Sequence, residues 1–553
     1  MGMTEALNGL RDVLSASAYP LNLPGAETAR NLAKATSGQL DDYLIPRLAR
    51  LDAPLLAVAG GSTGAGKSTL VNSIVGEAVS VAGARRPTTR APVLVCHPED
   101  SRWFTEANLL PKLTRTVTEG VGLRIVQSAA IPSGLALLDA PDIDSVEEAN
   151  RVLAEQLLAA ADLWLFVTTA IRYADAVPWE LLTDARNRGT SLAIILNRVP
   201  PGAAGEVAPH LTEMLAEHGL GSTRMFTVDE QQLSPDGLLP QRSVQELKTW
   251  LDDLAQSAAE RAKVVRQTVD GAIKALEPTA ARLAAEADAQ AEAVDSLKDS
   301  VGIAYREAEL QVAQGVHDGV LFRGEVLARW QELAGTGEFM RGLQATVGRW
   351  RDQLVSAITG KPRPTEQLQS ALESGLVTFV HGAAEDAAEK TARAWRAHPA
   401  GAALLRPGLS SAGKDIDERA DRMVRDWQRA VLELVRTESS KKLYVAKASA
   451  YAVNALGFAL MIAVFAATAF IPTGAEIAVG AGTTVAAQKL LEAIFGDEAV
   501  RRLAGTARED LLNRVHDVLG EEAQRFYDVL ASSGVDPAAG DRIRSAAQAV
   551  RIA

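Results

Sequence analysis

Between Ala29 and Leu51 the apolar residues Leu32, Leu40, Leu44, Leu48 and Leu51 recur at steps that are mostly three or four, which lays them along one stripe of a helix. The texture then changes. Short apolar, β-prone runs occupy Leu55–Ala59, Pro92–Cys96, Leu123–Val126, Leu135–Leu138, Leu163–Val167, Leu192–Leu196 and Met225–Val228, several of them separated by helical patterns. Strands alternating with helices predict a mainly parallel sheet covered by helices on both faces. Asp229–Arg242, with Pro235, Gly237 and Pro240, reads as the loop that leaves this domain. After Ser243 no strand pattern appears, and helical periodicity takes over, as in Leu283, Ala287, Ala291, Val294 and Leu297. Breaks at Gly360–Pro364 and His398–Gly413 predict long helices folded back on one another. A last helix from Glu498 to Leu530 carries Leu511, Val515, Val518, Leu519, Phe526 and Val529 on one stripe, and the N-terminal helix is expected beside it.

One stretch breaks the amphipathic rule. Ala448–Ile471 is an uncharged run of about 24 residues, long enough at ~1.5 Å per residue to cross a ~30 Å hydrocarbon layer. Pro472, Gly474 and Glu476 separate it from a shorter apolar piece, Ile477–Ala487. The pair reads as a membrane-inserted hairpin, with a hairpin buried in a helical bundle as the competing reading. Lys441, Lys442 and Lys447 precede it and Lys489, Arg501 and Arg502 follow it, which would keep both flanks at the cytoplasmic face of the membrane.

Composition sharpens this picture. A chain of 553 residues has room for about three domains. With 47% apolar but only 5% aromatic residues, helix should dominate. Acidic residues outnumber basic ones by 69 to 57, a formal charge of −12, which disfavours a nucleic-acid partner gripped through its phosphates. The single cysteine, Cys96, excludes an intramolecular disulfide framework and points to a reducing compartment. Met1–Leu23 lacks the apolar core and small-residue cleavage site of a signal peptide. Seven scattered histidines suggest no metal site beyond a nucleotide-bound Mg²⁺.

The chemistry is concentrated behind the first strand. In Gly60-Gly61-Ser62-Thr63-Gly64-Ala65-Gly66-Lys67-Ser68-Thr69, residues Gly61, Gly66, Lys67 and Ser68 satisfy G-x-x-x-x-G-K-[ST], and a helix starting with Leu70 and Val71 follows. Glycines let backbone N–H groups wrap a phosphate while the positive end of the helix dipole faces the anion. Gly61 through Thr69 are therefore the candidate nucleotide-binding residues, with Lys67 reaching the β- and γ-phosphates and Ser68 a ligand of Mg²⁺. About 70 residues after Lys67, the strand Leu135–Leu138 ends in Asp139, where a P-loop protein needs a carboxylate beside Mg²⁺. Arg85-Arg86-Pro87-Thr88-Thr89-Arg90 is a candidate switch, with Thr89 preferred over Thr88 as the group that meets Mg²⁺ and the γ-phosphate. Asn197 and Arg198 close a buried strand where a base-reading motif belongs, but Pro200 stands where an aspartate would read guanine. The nucleotide is thus left between GTP and ATP.

In the order of these motifs, followed by long helices with a late apolar run, the chain resembles the bacterial dynamin-like proteins, of the actinobacterial type. That resemblance implies a GTPase that assembles with itself or with a paralogue on a lipid bilayer and bends, tethers or fuses it. It also implies catalytic roles for Lys67, Thr63, Thr89 and Asp139, and places Ser68, Thr89 and Asp139 around Mg²⁺. Three positions depart from the family pattern: Thr63-Gly64 stands for a Gln-Ser pair, Asp142 for a glycine, and Pro200 for the base-reading aspartate. These predict slow hydrolysis. Thr168–Asp175 is similar to the dimer-contact loop of dynamin head domains, with Arg172 as a weaker candidate for stabilising transition-state charge.

The expected architecture is an α/β P-loop head joined to an extended all-α bundle or stalk with an apolar membrane hairpin. Residues 1–50 would form an N-terminal helix on the stalk, 51–242 the head, 243–447 the stalk, 448–490 the hairpin and 491–553 a returning helix. The rival readings are a soluble Era-like regulatory GTPase with a helical effector arm, and a nucleotide-binding scaffold with little hydrolysis.

Overall fold

A computed structural model describes residues 2–81, 91–106, 115–116, 122–145, 148–318, 363–440, 450–466, 491–492 and 494–553. They divide into two compact units. The first comprises Met1–Tyr19, Pro24–Gln290 and Asp536–Ala553, and the second Pro20–Leu23 and Ala291–Val535.

The first unit is built on an eight-stranded sheet of β1 (Leu55–Gly61), β2 (Val93–Cys96), β3 (Arg115–Thr116), β4 (Leu123–Gln127), β5 (Leu135–Asp139), β6 (Leu163–Thr169), β7 (Ser191–Val199) and β8 (Arg224–Asp229). Across the sheet the order is β3-β4-β2-β5-β1-β6-β7-β8. Only the β2–β5 pair is antiparallel. β1, β5 and β6 are buried along their whole length. Such strands read as unbroken apolar runs because helices cover both faces of a parallel sheet. β1 lies between β5 and β6, so its C-terminal end opens in mid-sheet, where α/β proteins place their ligands.

A buried ion pair braces the opposite end of the sheet. The helix Ala26–Gln39 passes through a π turn, Leu40–Leu44, into the helix Ile45–Ala49, which brings Tyr43 and Arg47 against Asp162. Arg47 Nη2 lies 2.8 Å from Asp162 Oδ2, and both side chains are only 1% exposed. Tyr43 donates to the same carboxylate at 3.0 Å and the Leu56 amide at 2.8 Å. Thr268 accepts from the Ser191 amide at 3.0 Å and donates to the Asp162 carbonyl at 2.9 Å. The starts of β1, β6 and β7 are thus tied to two helices. The helix Met3–Ala16 packs against Ala539–Ile552 in this same unit.

Among its described residues the second unit has helices and no strand: the later residues of Ala258–His317, then Arg363–Ala397, Gly401–Leu404, Ile416–Ser440, Ala450–Ala466 and Asp497–Ala531. Trp395 meets Phe526 edge-on at 5.3 Å, and Trp427 meets Phe465 at 5.7 Å while donating to the Ala507 carbonyl at 2.8 Å. Trp395 and Trp427 are therefore core residues; Trp330 and Trp350 lie outside the described residues.

The expectation of an apolar membrane hairpin is corrected here. The described part of the apolar run is the helix Ala450–Ala466, and all of 456–465 is buried in the bundle core. Among the described residues no helix is long and apolar enough to cross a membrane. A helix that is apolar all round suits the centre of a large bundle as well as a bilayer, and here the bundle covers it. The expected second arm, 477–487, lies outside the described residues.

Removing one partner of the Arg47–Asp162 pair would leave the other charged and buried. Asp162→Ala is expected to cost about 3–5 kcal/mol, read as a lowered urea midpoint for the first unit. A midpoint unchanged from the wild type would show that the pair does not brace the sheet.

Candidate functional site

The loop from Gly61 to Gly66 turns directly out of β1 into the helix Lys67–Val75. Two glycines make the turn possible. Gly61 has φ +152°, and a Cβ there would run into the Val167 carbonyl of β6. Gly66 has φ +89°, and a Cβ there would lie 2.6 Å from Asn197 Nδ2. The loop is therefore pressed against β6 on one side and the end of β7 on the other.

Lys67 points back into this loop and is 5% exposed. Its ammonium donates to the carbonyls of Gly61 at 2.9 Å and Ser62 at 3.1 Å, and pairs with Asp142. Ser68, the next residue, donates to Asp139 Oδ2 at 2.6 Å. Ser80 donates to that same oxygen at 2.5 Å. Asn72 holds Ser80 in place: its Oδ1 accepts from the amides of Val79 at 3.0 Å and Ser80 at 2.8 Å, and its Nδ2 donates to the Ser80 carbonyl at 2.8 Å.

Thr63 is bound on the far side of the loop. Its amide and hydroxyl both donate to Asp144 Oδ1 at 2.6 Å. Arg172 donates to the Thr63 carbonyl at 2.9 Å, to Asp144 Oδ2 at 2.7 Å and to Asp175 at 2.8 Å. Partial burial opposes ionisation of Asp144, but Thr63 and Arg172 outweigh it and hold the carboxyl below the usual carboxylate range. Arg172 thus reaches the phosphate loop of its own chain.

Asn197 is buried and donates to the Ala65 carbonyl at 2.7 Å, while its Oδ1 accepts from the Arg198 amide at 2.9 Å. Arg198 sits at φ +53°, beside an irregularity in the β7–β8 pairing between Leu196 and Val199. The structure therefore gathers Gly61–Thr69, Asp139, Asn197 and Arg198 around one loop. Thr89 lies outside the described residues.

The donor set fits Mg²⁺. A serine hydroxyl and a carboxylate are hard oxygen ligands. Asp139 Oδ1 is buried with no hydrogen-bond partner among the described residues, so a lone pair is left over. No group of three or more His, Cys, Asp and Glu among the described residues is placed to hold a metal ion, so Mg²⁺ would need nucleotide phosphates as further ligands.

Sequence reasoning passed over Ser80, Asn72 and Asp144. Ser80 and Asn72 act through side-chain bonds that no short motif announces. Asp144 belongs to no motif, although its place two residues beyond Asp142 is a usable signal.

No protein-family model and no curated protein matches the chain. Among solved structures, two chains of an oligomerised bacterial dynamin pair, described as providing a mechanism for long-range sensing and tethering of membranes, match it. One is 11% identical with a TM-score of 0.40 over 95% of this chain and 94% of that one. The other is 12% identical with a TM-score of 0.40 over 100% of this chain and 99% of that one. The chain is similar to bacterial dynamins along nearly its whole length. Era from Aquifex aeolicus, a point variant bound to GDP·AlF4−, matches with 20% identity and a TM-score of 0.25 over 36% of this chain and 56% of that one.

Burial raises the Asp139 carboxyl above the usual range, against the Ser68 and Ser80 hydrogen bonds and the charge of Lys67. A raised folded-state value favours the protonated form. Its contribution to stability is complete below the unfolded value near 4 and is lost as pH rises through the folded value. The melting temperature of Asp139→Asn should gain on the wild type as pH rises above about 4. A difference that stays constant across that range would show that Asp139 carries no such penalty.

Proposed function

We propose that this protein is a dynamin-like GTPase that binds and hydrolyses GTP with Mg²⁺ and couples the cycle to self-assembly and membrane remodelling at the cytoplasmic face of the cell membrane. The observation that carries the reading is the closed set Lys67, Ser68 and Asp139 at the mouth of β1, with Ser68 on Asp139 at 2.6 Å and Lys67 held in its own loop. Lys67 and the loop amides would bind the phosphates, and Ser68 and Asp139 would hold Mg²⁺, which when bound offsets the charge of the β- and γ-phosphates. Thr89 would complete the metal site, and Asn197 and Arg198 would flank the base. The proposed partners are GTP, a lipid bilayer and either a second copy or a paralogue, with no nucleic acid.

The head would be the sheet-bearing unit, in which Met3–Ala16 packs on Ala539–Ile552 rather than on the stalk as expected, and the stalk would be the helical unit.

Slow turnover is supported by Thr63. Its hydroxyl is donated to Asp144 rather than left to orient an attacking water. This also favours, as a second reading, a nucleotide-binding scaffold with little hydrolysis. Single-turnover hydrolysis of Mg·GTP in the presence of vesicles separates the two.

Lys67→Ala is expected to weaken Mg·GTP binding by about 100-fold or more, since charge-assisted bonds to two phosphates are lost. It should also abolish GTP-stimulated tethering or tubulation of anionic liposomes. Full tethering by the variant would break the proposed coupling.

A further inference from the structure

The loop after β5 carries a feature that slow hydrolysis alone does not explain. The Asp142 carboxylate pairs with Lys67, the group that the reading above assigns to the β- and γ-phosphates. Its position is held by its surroundings. Pro141 and Ile143 on either side are buried, the Ile143 amide donates to the Gly61 carbonyl at 3.4 Å, and Asp144 is fastened to Thr63 and Arg172. The Asp142 side chain is 15% exposed, so water does little to screen it.

From this geometry we propose that Asp142 is a specificity-determining residue, a built-in counter-ion of Lys67 that competes with the γ-phosphate and biases the site towards nucleoside diphosphate. The inference rests on the nucleotide-binding reading of the site. A triphosphate must separate Asp142 from Lys67 and then lie beside its poorly solvated carboxylate. A diphosphate lacks the terminal group that meets this charge. Like charges brought together in a poorly solvated site oppose binding strongly. Triphosphate binding would therefore move the 140–145 loop, whereas diphosphate would leave it on the phosphate loop. An uncharged side chain at this position would exert no such opposition.

The test compares wild type with Asp142→Asn, which keeps the shape and removes the charge, and with Asp142→Gly. Titration of fluorescent GTPγS and GDP with Mg²⁺ is expected to show the triphosphate-to-diphosphate preference rising by about tenfold or more in both variants. A second measurement needs no nucleotide: melting temperatures of Lys67→Met, Asp142→Asn and the double variant of the nucleotide-free protein. The shifts are expected to be non-additive, as for groups in direct contact. An unchanged preference, weaker triphosphate binding in both variants, or additive shifts would each overturn the proposal, while leaving the nucleotide site standing if all proteins still bind. If neither wild type nor variants bind either nucleotide, the reading of the site itself fails and takes the inference with it.

Discussion

An ammonium taken out of water must recover its hydrogen bonds from protein. Lys67 recovers them from the carbonyls of Gly61 and Ser62 and from the carboxylate of Asp142. Much of the local geometry follows from that requirement. The Gly61 carbonyl faces the lysine only because the backbone at Gly61 takes a conformation that side chains rarely adopt, close against β6. The same carbonyl accepts from the Ile143 amide, which draws the loop after β5 over the phosphate loop. Ser68, one residue along the helix, then falls beside Asp139 at the end of β5. One buried charge thereby brings together the ends of two neighbouring strands and the first turn of a helix.

The strands were legible because parallel strands under helices are buried on both faces, and their apolar runs therefore stand out against the polar connections. Leu163–Val167 is legible as an apolar run, and β6 extends two residues further, where Thr168 and Thr169 pair with Leu196 and Asn197 of β7. Arg115–Thr116 was missed because a two-residue polar strand has no periodicity to detect. The phosphate loop was legible for a different reason: its glycines and lysine answer a backbone and charge requirement that few other residue types meet. Ser80 was not legible. Its bond to Asp139 depends on Asn72 clamping a turn eight residues downstream, a tertiary fact with no spacing rule. Asn197 lies two residues before the end of β7, and its side-chain amide donates to the Ala65 carbonyl of the phosphate loop. A short polar side chain at a strand end suits a loop clamp as well as base recognition, and residue type alone does not separate the two.

The apolar run shows where the sequence signal reaches its limit. A helix without a polar face has no preferred direction of burial, so its pattern is the same in a protein core and in lipid. Surroundings discriminate. Leu460, Ile462 and Val464 have no exposure, and Arg508 donates to the Val464 carbonyl at 2.8 Å. Gly457 leaves room for Leu432 of the neighbouring helix.

The energetic consequence concerns the partners more than the run. Lipid tails are about as apolar as leucine, so moving this helix from core to bilayer exposes little of its own surface to water. What it leaves behind is different. Trp427 and Val431 on Ile416–Ser440 and Ala507 on Asp497–Ala531 are buried in the core that this helix helps to fill, and they would face water or a void on its departure. Each large apolar side chain so exposed costs about 1.5–3 kcal/mol. The apolar helix is thus held in the bundle chiefly by what its two neighbours would lose without it.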